Sequence, residues 1–126
     1  MSKTILYIED NPQNMRLVKK MLRVGGYDML EASDGISGVN KAQSERPDLI
    51  LMDINLPDID GIEATRRLKA DPEMAHVPII ALTANAFPSD RQRCLDAGMD
   101  HHLRKPIRRA ALEDALRRAA PPAPRA

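Results

Sequence analysis

DLILMD, residues 48–53, is the stretch of sequence that decides the fold. Its apolar run follows Pro47 and stops at the carboxylate of Asp53, and the next residues, INLP at 54–57, are typical of a loop. A short apolar run with these boundaries indicates a parallel strand that is buried on both faces. Ligands and chemistry collect just outside the carboxyl ends of such strands. We therefore expect a rigid strand to aim Asp53 into a surface crevice, where it can act as a metal ligand, a base or a nucleophile.

Composition limits the classes of function. The chain has 126 residues and a net charge of +1, so it has the length of one domain and no strong field that would attract nucleic acid or an anionic membrane. Two tyrosines, one phenylalanine and no tryptophan leave no platform for stacking bases. No apolar segment approaches the roughly 20 residues that cross a bilayer, and no signal peptide follows Met1. The single cysteine, Cys94, cannot form an internal disulfide, which favours a cytoplasmic location.

We expect one domain over residues 1–120 and a disordered Pro-rich tail over 121–126. The start at Met1 and the short tail favour a whole protein over a fragment. Neither a nucleic acid nor a membrane is expected as a partner, because the charge and hydropathy patterns supply no surface for either.

Strand and helix patterns alternate along the chain. Apolar runs predict strands over residues 4–8, 27–32, 48–53, 77–83 and 101–104. The first helix begins at Pro12 after the N-cap Asn11, and Asp34 caps a second helix that carries Ile36, Val39 and Ala42. Further helices are predicted over 61–70, over 89–97 and after Pro106. This order predicts an α/β fold, a five-stranded parallel sheet in a flavodoxin-like (βα)5 doubly wound three-layer sandwich.

The first predicted strand also ends in acidic residues, Glu9 and Asp10. If the first and third strands are neighbours, these carboxylates meet Asp53 at one edge of the sheet. Two carboxylates about 4 Å apart repel by roughly 4 kcal/mol at an effective dielectric constant near 20. Either one of them takes a proton or a cation neutralises them. Hard oxygen ligands suit Mg²⁺, with Mn²⁺ or Ca²⁺ as alternatives.

Two further residues fall at the same predicted edge, Thr83 at the end of the fourth strand and Lys105 after the fifth. Each has an ordinary interpretation by itself, since threonine is common in strands and a lysine before proline is unremarkable. Glu9 and Asp10 could likewise do no more than flank a helix cap. The coincidence is informative, because a carboxylate-bound Mg²⁺, an ammonium and a hydroxyl together suit a phosphoryl group.

With these residues in place, the chain resembles the receiver domain of two-component response regulators from about Lys3 to Ala119. It is most similar to single-domain regulators of the DivK kind and to receivers fused to hybrid histidine kinases. Four segments carry the resemblance: ILYIEDN (5–11), DLILMDINLPDIDG (48–61), PIIALTA (78–84) and AGMDHHLRKPI (97–107).

The resemblance implies a chemistry centred on Asp53. This residue would accept a phosphoryl group from a phosphohistidine on a histidine kinase or histidine phosphotransferase, in a Mg²⁺-dependent reaction. The receiver itself would catalyse the transfer and then slowly hydrolyse the acyl phosphate. It would not be an enzyme acting on an external substrate.

The resemblance also implies roles for the residues around Asp53. Asp10 and Asp53 would ligate Mg²⁺ directly, Glu9 would act largely through water, and Asn55 would lend its backbone carbonyl. Thr83 and Lys105 would each bind a phosphoryl oxygen. The peptide bond between Lys105 and Pro106 would be cis.

Phosphorylation would switch the conformation of the domain by drawing Thr83 toward the new phosphoryl group. Family members carry tyrosine or phenylalanine three residues before the lysine, where this chain has His102. Because imidazole ionises near pH 6.5, we hypothesise that His102 makes partner binding pH-sensitive, to be tested by affinities at about pH 5.5 and 7.5. The ordinary alternative is a solvent-facing strand residue. A downstream protein would dock on the fourth helix, fifth strand and fifth helix, roughly Ser89 to Ala119.

Three other functions stay open. A phosphatase of the haloacid-dehalogenase-like kind needs a second aspartate two residues after the first, and Asn55 cannot transfer protons in that role. A receiver that has lost phosphorylation and only scaffolds is disfavoured by the intact set of site residues. The domain could also belong to a hybrid histidine kinase or serve as a phosphorelay intermediate.

Overall fold

The structure is a computed structural model that describes residues 3–83, 88–105 and 107–119. Strands and helices alternate in the order β1 (Thr4–Ile8), α1 (Pro12–Val24), β2 (Asp28–Ala32), α2 (Gly35–Glu45), β3 (Leu49–Asp53), α3 (Gly61–Ala70), β4 (Ile79–Thr83), α4 (Pro88–Ala97), β5 (His101–Arg104) and α5 (Arg109–Ala119). The three middle strands begin one or two residues later than predicted. Within the described residues, no helix combines the length and the apolar character needed to cross a membrane. The predicted cis bond at Pro106 and the predicted tail at 121–126 lie outside these residues.

All five strands pair in parallel, in the order β2-β1-β3-β4-β5. The first and third strands are neighbours, which is the condition under which the strand-end acids were expected to meet, and Ile8 lies opposite Met52 in the register. The chain turns to β2 on one side of β1 and to β3 on the other, so the direction of winding reverses between β1 and β3. A crevice at the carboxyl ends of the strands is expected at such a point.

Side chains alternate across the sheet and build two hydrophobic layers, because successive strand residues point to opposite faces. Ile5 and Tyr7 of β1 pack with α1 and α5, whereas Leu6 and Ile8 pack with α2, α3 and α4. The predicted doubly wound three-layer sandwich is therefore confirmed. The helix residues that close the first layer are Val18, Leu22, Leu112, Ala115 and Leu116.

Polar caps fix where the helices begin. The Oδ1 atom of Asn11 accepts hydrogen bonds from the backbone N–H of Gln13 at 2.8 Å and of Asn14 at 3.2 Å, and Pro12 occupies the first turn, as predicted. The Asp34 side chain accepts from the N–H of Ser37 at 2.7 Å. Because the N-cap Asn11 directly follows the acidic pair Glu9 and Asp10, this cap also fixes the chain that carries those acids.

The second helix departs from the sequence pattern at Ile36, which is 47% exposed. Its buried face is formed by Gly35, Gly38, Val39 and Ala42. A Cβ atom added at Gly38 would collide with the side chain of Ile8, so α2 packs close against β1. This close approach uses the glycine face of the helix and turns Ile36 outward, which corrects the predicted apolar face.

The fourth helix has a small apolar face. Within residues 91–97, the buried side chains are Cys94 and Ala97, and Leu95 is 57% exposed. Cys94 is a free, buried thiol that packs in this layer. Over residues 91–97, α4 therefore buries less hydrocarbon than α3, which buries Ile62, Ala64 and Leu68.

Candidate functional site

The acidic residues that follow β1 converge with the last residue of β3 at the carboxyl edge of the sheet. Oxygen atoms of Glu9, Asp10 and Asp53 lie within 4.8 Å of one another. Glu9 and Asp53 are each 2% exposed, while Asp10 is exposed to solvent. The pairing of β1 with β3 produces this arrangement, because it sets the residues that follow Ile8 beside the end of β3. The structure thus brings together the acidic cluster that the sequence predicted.

Lys105 bridges the two buried carboxylates. Its Nζ atom lies 2.8 Å from Oε1 of Glu9 and 3.1 Å from Oδ2 of Asp53. Its backbone N–H donates to the carbonyl oxygen of Thr83 at 2.8 Å, which extends the pairing of β4 and β5 beyond the last strand residue. The end of β5 therefore holds an ammonium group over the acids, at the edge where the sequence placed it.

Asp53 is more enclosed than the sequence analysis expected. Its Oδ2 atom faces Lys105, and its Oδ1 atom accepts a hydrogen bond from the backbone N–H of Asn55 at 3.1 Å. Both oxygens are thus engaged, and the expected crevice is covered at this residue. The open part of the crevice lies on the other side of the acids, in a cavity of about 370 Å³ lined by Glu9, Asp10, Pro12, Met15, Glu31, Ala32 and Ser33.

Burial and mutual repulsion shift the proton affinities of these groups. Burial, together with the hydrogen bond and the charge of Glu9, raises the pKa of Asp53 to about 7. Burial would also raise the pKa of Glu9, but hydrogen bonds with Asp53 and Lys105 outweigh it and lower that pKa to about 2. When the Glu9 and Asp53 pair carries one proton, we assign that proton to Asp53, because Lys105 and Tyr7 already donate hydrogen bonds to Oε1 of Glu9. Asp53 is therefore the carboxyl group whose charge changes near neutral pH.

One oxygen of Glu9 is evidence for a cation site. Within the described part of the chain, its Oε2 atom is buried and has no hydrogen-bond partner. A buried carboxylate oxygen without a donor is costly, and a divalent cation or a water bound to one would satisfy it. The cluster offers only oxygen ligands, and Asp10 is open to solvent on its outer side. These residues fit a hard cation such as Mg²⁺.

Thr83 closes β4 beside the cluster. It is 3% exposed and follows Leu82, the residue that pairs with Asp53. The structure thus brings Thr83 to the edge that also holds Asp53 and Lys105. Asn55 lies on the loop after β3, exposed at the rim.

His102 lies two residues before Arg104, the last residue of β5, and pairs with Ala81 in the sheet. It is partly buried, which differs from the solvent-facing alternative. It borders a cavity of about 220 Å³ between α4 and β5, together with Arg91, Cys94, Leu95, Met99, Asp100 and His101. His102 therefore belongs to the seam between helix and sheet and not to the acidic cluster.

Sequence reasoning overlooked Tyr7. Its side chain is fully buried, and its hydroxyl donates a hydrogen bond to Oε1 of Glu9 at 3.0 Å. Burial and the nearby Glu9 carboxylate raise the pKa of this phenol above its ordinary range, so the hydroxyl keeps its proton. The available signal was spacing, because strand residues two apart share a face and Tyr7 precedes Glu9 by two.

Asp58 was also overlooked, although it lies on the loop that follows Asp53. Its Oδ1 accepts from the backbone N–H of Gly35 at 2.7 Å, and its Oδ2 accepts from that of Ile36 at 2.8 Å. One carboxylate therefore ties the loop at the site to the first turn of α2. The favourable N-terminal end of that helix explains why a carboxylate binds there.

Comparisons with known proteins agree with this geometry. The sequence profile of the family described as "Response regulator receiver domain" matches residues 5–117. The polar-differentiation response regulator DivK of Brucella anthropi is 40% identical over 107 residues, which span 85% of this chain and 87% of DivK. DivK of Brucella ovis is 39% identical over the same shares of the two chains.

Solved structures show the same fold. The receiver domain of the sensor histidine kinase PA1611 of Pseudomonas aeruginosa PAO1, which has a magnesium ion coordinated in its active-site cleft, matches with a TM-score of 0.89 and 47% identity. That match covers 95% of this chain and 98% of the PA1611 domain. The chemotaxis protein CheY4 of Vibrio cholerae matches with a TM-score of 0.90 and 28% identity, over 94% of this chain and 99% of CheY4.

Proposed function

The chain belongs to the response regulator receiver domain family, and we propose that Asp53 is the residue on which it accepts a phosphoryl group from a phosphohistidine. The observation that carries this proposal is the position of Asp53 at the end of β3, with Glu9, Asp10 and Lys105 gathered around it. Family membership also decides against the haloacid-dehalogenase-like phosphatase considered from the sequence.

The transfer is a displacement at phosphorus. An oxygen of ionised Asp53 forms the new P–O bond while the P–N bond to the donor imidazole breaks, and the electron pair of that bond stays with the nitrogen, which takes up a proton. The ammonium of Lys105 and the hydroxyl of Thr83 bind oxygens of the transferred group and stabilise its charge. Because Lys105 covers Asp53, its side chain must shift from Oδ2 toward the incoming phosphoryl oxygens.

A divalent cation belongs to this reaction. We propose that Asp10, Asp53 and the backbone carbonyl of Asn55 would hold Mg²⁺, with Glu9 acting largely through water, and that Mn²⁺ or Ca²⁺ could use the same oxygens. Bound Mg²⁺ neutralises carboxylate and phosphoryl charge. The buried Oε2 of Glu9 supports this arrangement, because a cation or its water would satisfy that oxygen.

The phosphorylated domain acts by binding another protein. We propose Thr83 and His102 as its switch residues. Thr83 ends β4 beside the acidic cluster, and His102 borders the cavity between β5 and α4. The docking face for a downstream protein is α4-β5-α5, which displays the exposed side chains of Leu95 and Arg104. A histidine kinase or a histidine phosphotransferase supplies the phosphoryl group.

The proposed domain covers residues 1–120, since the family profile matches 5–117 and α5 ends at Ala119. We place its action in the cytoplasm, without a nucleic-acid or membrane partner. The net charge of +1 supports this, because it provides little attraction for a polyanion.

Incubation with acetyl phosphate and Mg²⁺, followed by intact-mass measurement, tests the proposal. We expect a mass gain of one phosphoryl group in the wild type and in Asp28→Asn, a control at the opposite end of the strands. The gain should disappear in Asp53→Asn and in the presence of EDTA. A gain that survives in Asp53→Asn would place the chemistry on another residue.

A role as a phosphorelay intermediate is the second candidate, favoured by the 47% identity to the receiver of a sensor histidine kinase. The two roles differ in where the phosphoryl group goes next. Mixing the phosphorylated protein with a histidine phosphotransferase distinguishes them. Rapid loss of phosphate from Asp53 with gain on the histidine supports a relay, and retention supports a regulator that acts by docking.

A further inference from the structure

We propose that Tyr7 is a positioning residue for the cation site, because its hydroxyl holds Oε1 of Glu9 and leaves Oε2 as the carboxylate oxygen that has no hydrogen-bond partner among the described residues. This inference rests on the proposed function, since it concerns how that reaction binds its cation. It assigns a task to a buried phenol that the chemistry at Asp53 does not itself use.

The ring of Tyr7 is held firmly. Tyr7 is fully buried in the layer that β1 shares with α1 and α5, and Ile5, Val18, Leu22, Leu112 and Leu116 belong to the same cluster. Side chains in such a close-packed layer have little freedom to change rotamer. The hydroxyl therefore stands at a fixed place below the site, 3.0 Å from Oε1 of Glu9.

The two oxygens of Glu9 have unequal surroundings. Oε1 accepts from the hydroxyl of Tyr7 and lies 2.8 Å from Nζ of Lys105. Oε2 is buried and has no hydrogen-bond partner within the described residues. Reorientation of the carboxylate would strain both contacts of Oε1, so Tyr7 and Lys105 together hold Glu9 in the cluster that it forms with Asp10 and Asp53. Hydrogen bonds of this kind orient metal ligands, and their loss weakens metal binding.

The alternative is that the hydroxyl only finds an acceptor inside the core, with no consequence for the cation. Both views predict some loss of stability in Tyr7→Phe, so stability does not separate them. The affinity for Mg²⁺ does, because only a positioning role links the phenol to the metal.

Isothermal titration with Mg²⁺ is the direct test. We expect Tyr7→Phe to bind Mg²⁺ about tenfold more weakly than the wild type, the lower end of the range for such outer partners. Tyr27→Phe is the matched control, since Tyr27 packs against the same layer but precedes β2, at the end of the sheet opposite the acids. An affinity of Tyr7→Phe within twofold of the wild type would overturn the inference.

A double-mutant cycle shows whether Tyr7 acts through Glu9. In a Glu9→Gln background, Tyr7→Phe should cause no further loss of Mg²⁺ affinity. A second tenfold loss in that background would contradict the proposed route.

Titration of the Tyr27→Phe protein with Mg²⁺ adds a measurement that needs no change at Tyr7. The chain has two tyrosines and no tryptophan, so the tyrosine absorbance of the Tyr27→Phe protein comes from Tyr7. We expect Mg²⁺ to change this absorbance, and an unchanged spectrum would count against the inference.

Phosphorylation kinetics separate this inference from the proposed function. With acetyl phosphate, Tyr7→Phe should need about ten times more Mg²⁺ for half-maximal rate and should reach the wild-type rate at saturation. If the wild type binds Mg²⁺ in a Tyr7-dependent way but gains no phosphate, the proposed function fails and this inference stands. If phosphorylation of Tyr7→Phe matches the wild type at every Mg²⁺ concentration, this inference fails and the function stands.

Discussion

Nζ of Lys105 lies 3.1 Å from Oδ2 of Asp53, so the proposed acceptor has a counter-ion built into the chain. The same ammonium lies 2.8 Å from Glu9, and its pKa is raised because these two carboxylates outweigh its burial. One positive charge thus serves two buried carboxyl groups. This leaves an excess of negative charge whenever Asp53 ionises, and that excess is what a cation or a shared proton must offset.

The first prediction concerns stability and pH. The raised pKa of Asp53 means that the folded protein keeps this proton to higher pH than the unfolded chain. The resulting stabilisation is complete below the ordinary pKa near 4 and is lost as the pH rises through about 7. Asp53→Asn has no such loss, so in EDTA at pH 8 it should be more stable than the wild type by about 1–2 kcal/mol.

Urea unfolding followed by circular dichroism at pH 6 and pH 8 measures this difference. The advantage of Asp53→Asn should shrink at pH 6, and saturating Mg²⁺ should reduce it at pH 8, because the cation stabilises only a protein that binds it. A variant that is no more stable than the wild type at pH 8 would contradict the prediction.

The second prediction compares a buried ion pair with an exposed one. Lys105→Ala leaves Glu9 and Asp53 buried without their ammonium and should lower the free energy of unfolding by about 2–4 kcal/mol in EDTA at pH 8. Lys19→Ala removes a partner from the solvent-exposed pair with Glu31 and should cost at most about 1 kcal/mol. Equal losses in the two variants would show that the enclosure of the acids has no energetic effect.

The third prediction concerns the loop that Asp58 ties to α2. Although burial would raise the pKa of Asp58, hydrogen bonds from the N–H groups of Ile36 and Gly35 lower it. Asp58→Ala frees both N–H groups, so hydrogen exchange at Gly35 and Ile36 should become faster and the urea midpoint should fall. Asp58→Glu, which keeps the charge, should restore part of the protection. Unchanged exchange at both amides would show that this tie is absent in solution.

The fourth prediction tests the turn below the acceptor. A Cβ atom at Gly61 would collide with the carbonyl oxygen of Asp53 and lie 2.9 Å from the Cα of Ile54, and backbone cannot move aside as a side chain can. Gly61→Ala should therefore lower the free energy of unfolding by about 1–3 kcal/mol and weaken Mg²⁺ binding, because it displaces the end of β3. Gly25→Ala is the control, since the nearest atom there is 3.1 Å away on the Tyr27 ring. Normal Mg²⁺ binding by a destabilised Gly61→Ala would separate this turn from the site.

Much of the fold could be read from the sequence because its signals are local. Asn11 followed by Pro12 marks the start of α1, and the apolar run that ends at Asp53 marks a central strand; both agree with the structure. The cluster of strand-end acids followed from topology, since parallel strands bring their carboxyl ends to one edge.

The features that were missed depend on packing between segments. The sequence around Ile36 does not show that the neighbouring glycines let α2 approach β1 closely. The sequence around Asp53 likewise does not show that Lys105 covers it. The contact of Asp58 with α2 depends on side-chain reach and not on periodicity. Spacing places Tyr7 and Glu9 on one face, but only the packed structure shows that the hydroxyl reaches the carboxylate. Sequence patterns thus predict where chemistry gathers, and three-dimensional packing determines which atoms are open to it.

The sparse apolar face of α4 bears on how far a change at Asp53 can spread. Between residues 91 and 97, a thiol and a methyl group are the buried contacts that anchor this helix. The free-energy cost of moving a helix grows with the apolar surface that must leave its neighbours, so we expect residues 91–97 of α4 to move at a modest cost. This part of α4 borders the cavity at His102, so a shift of the helix would alter the surface that this cavity offers to a partner.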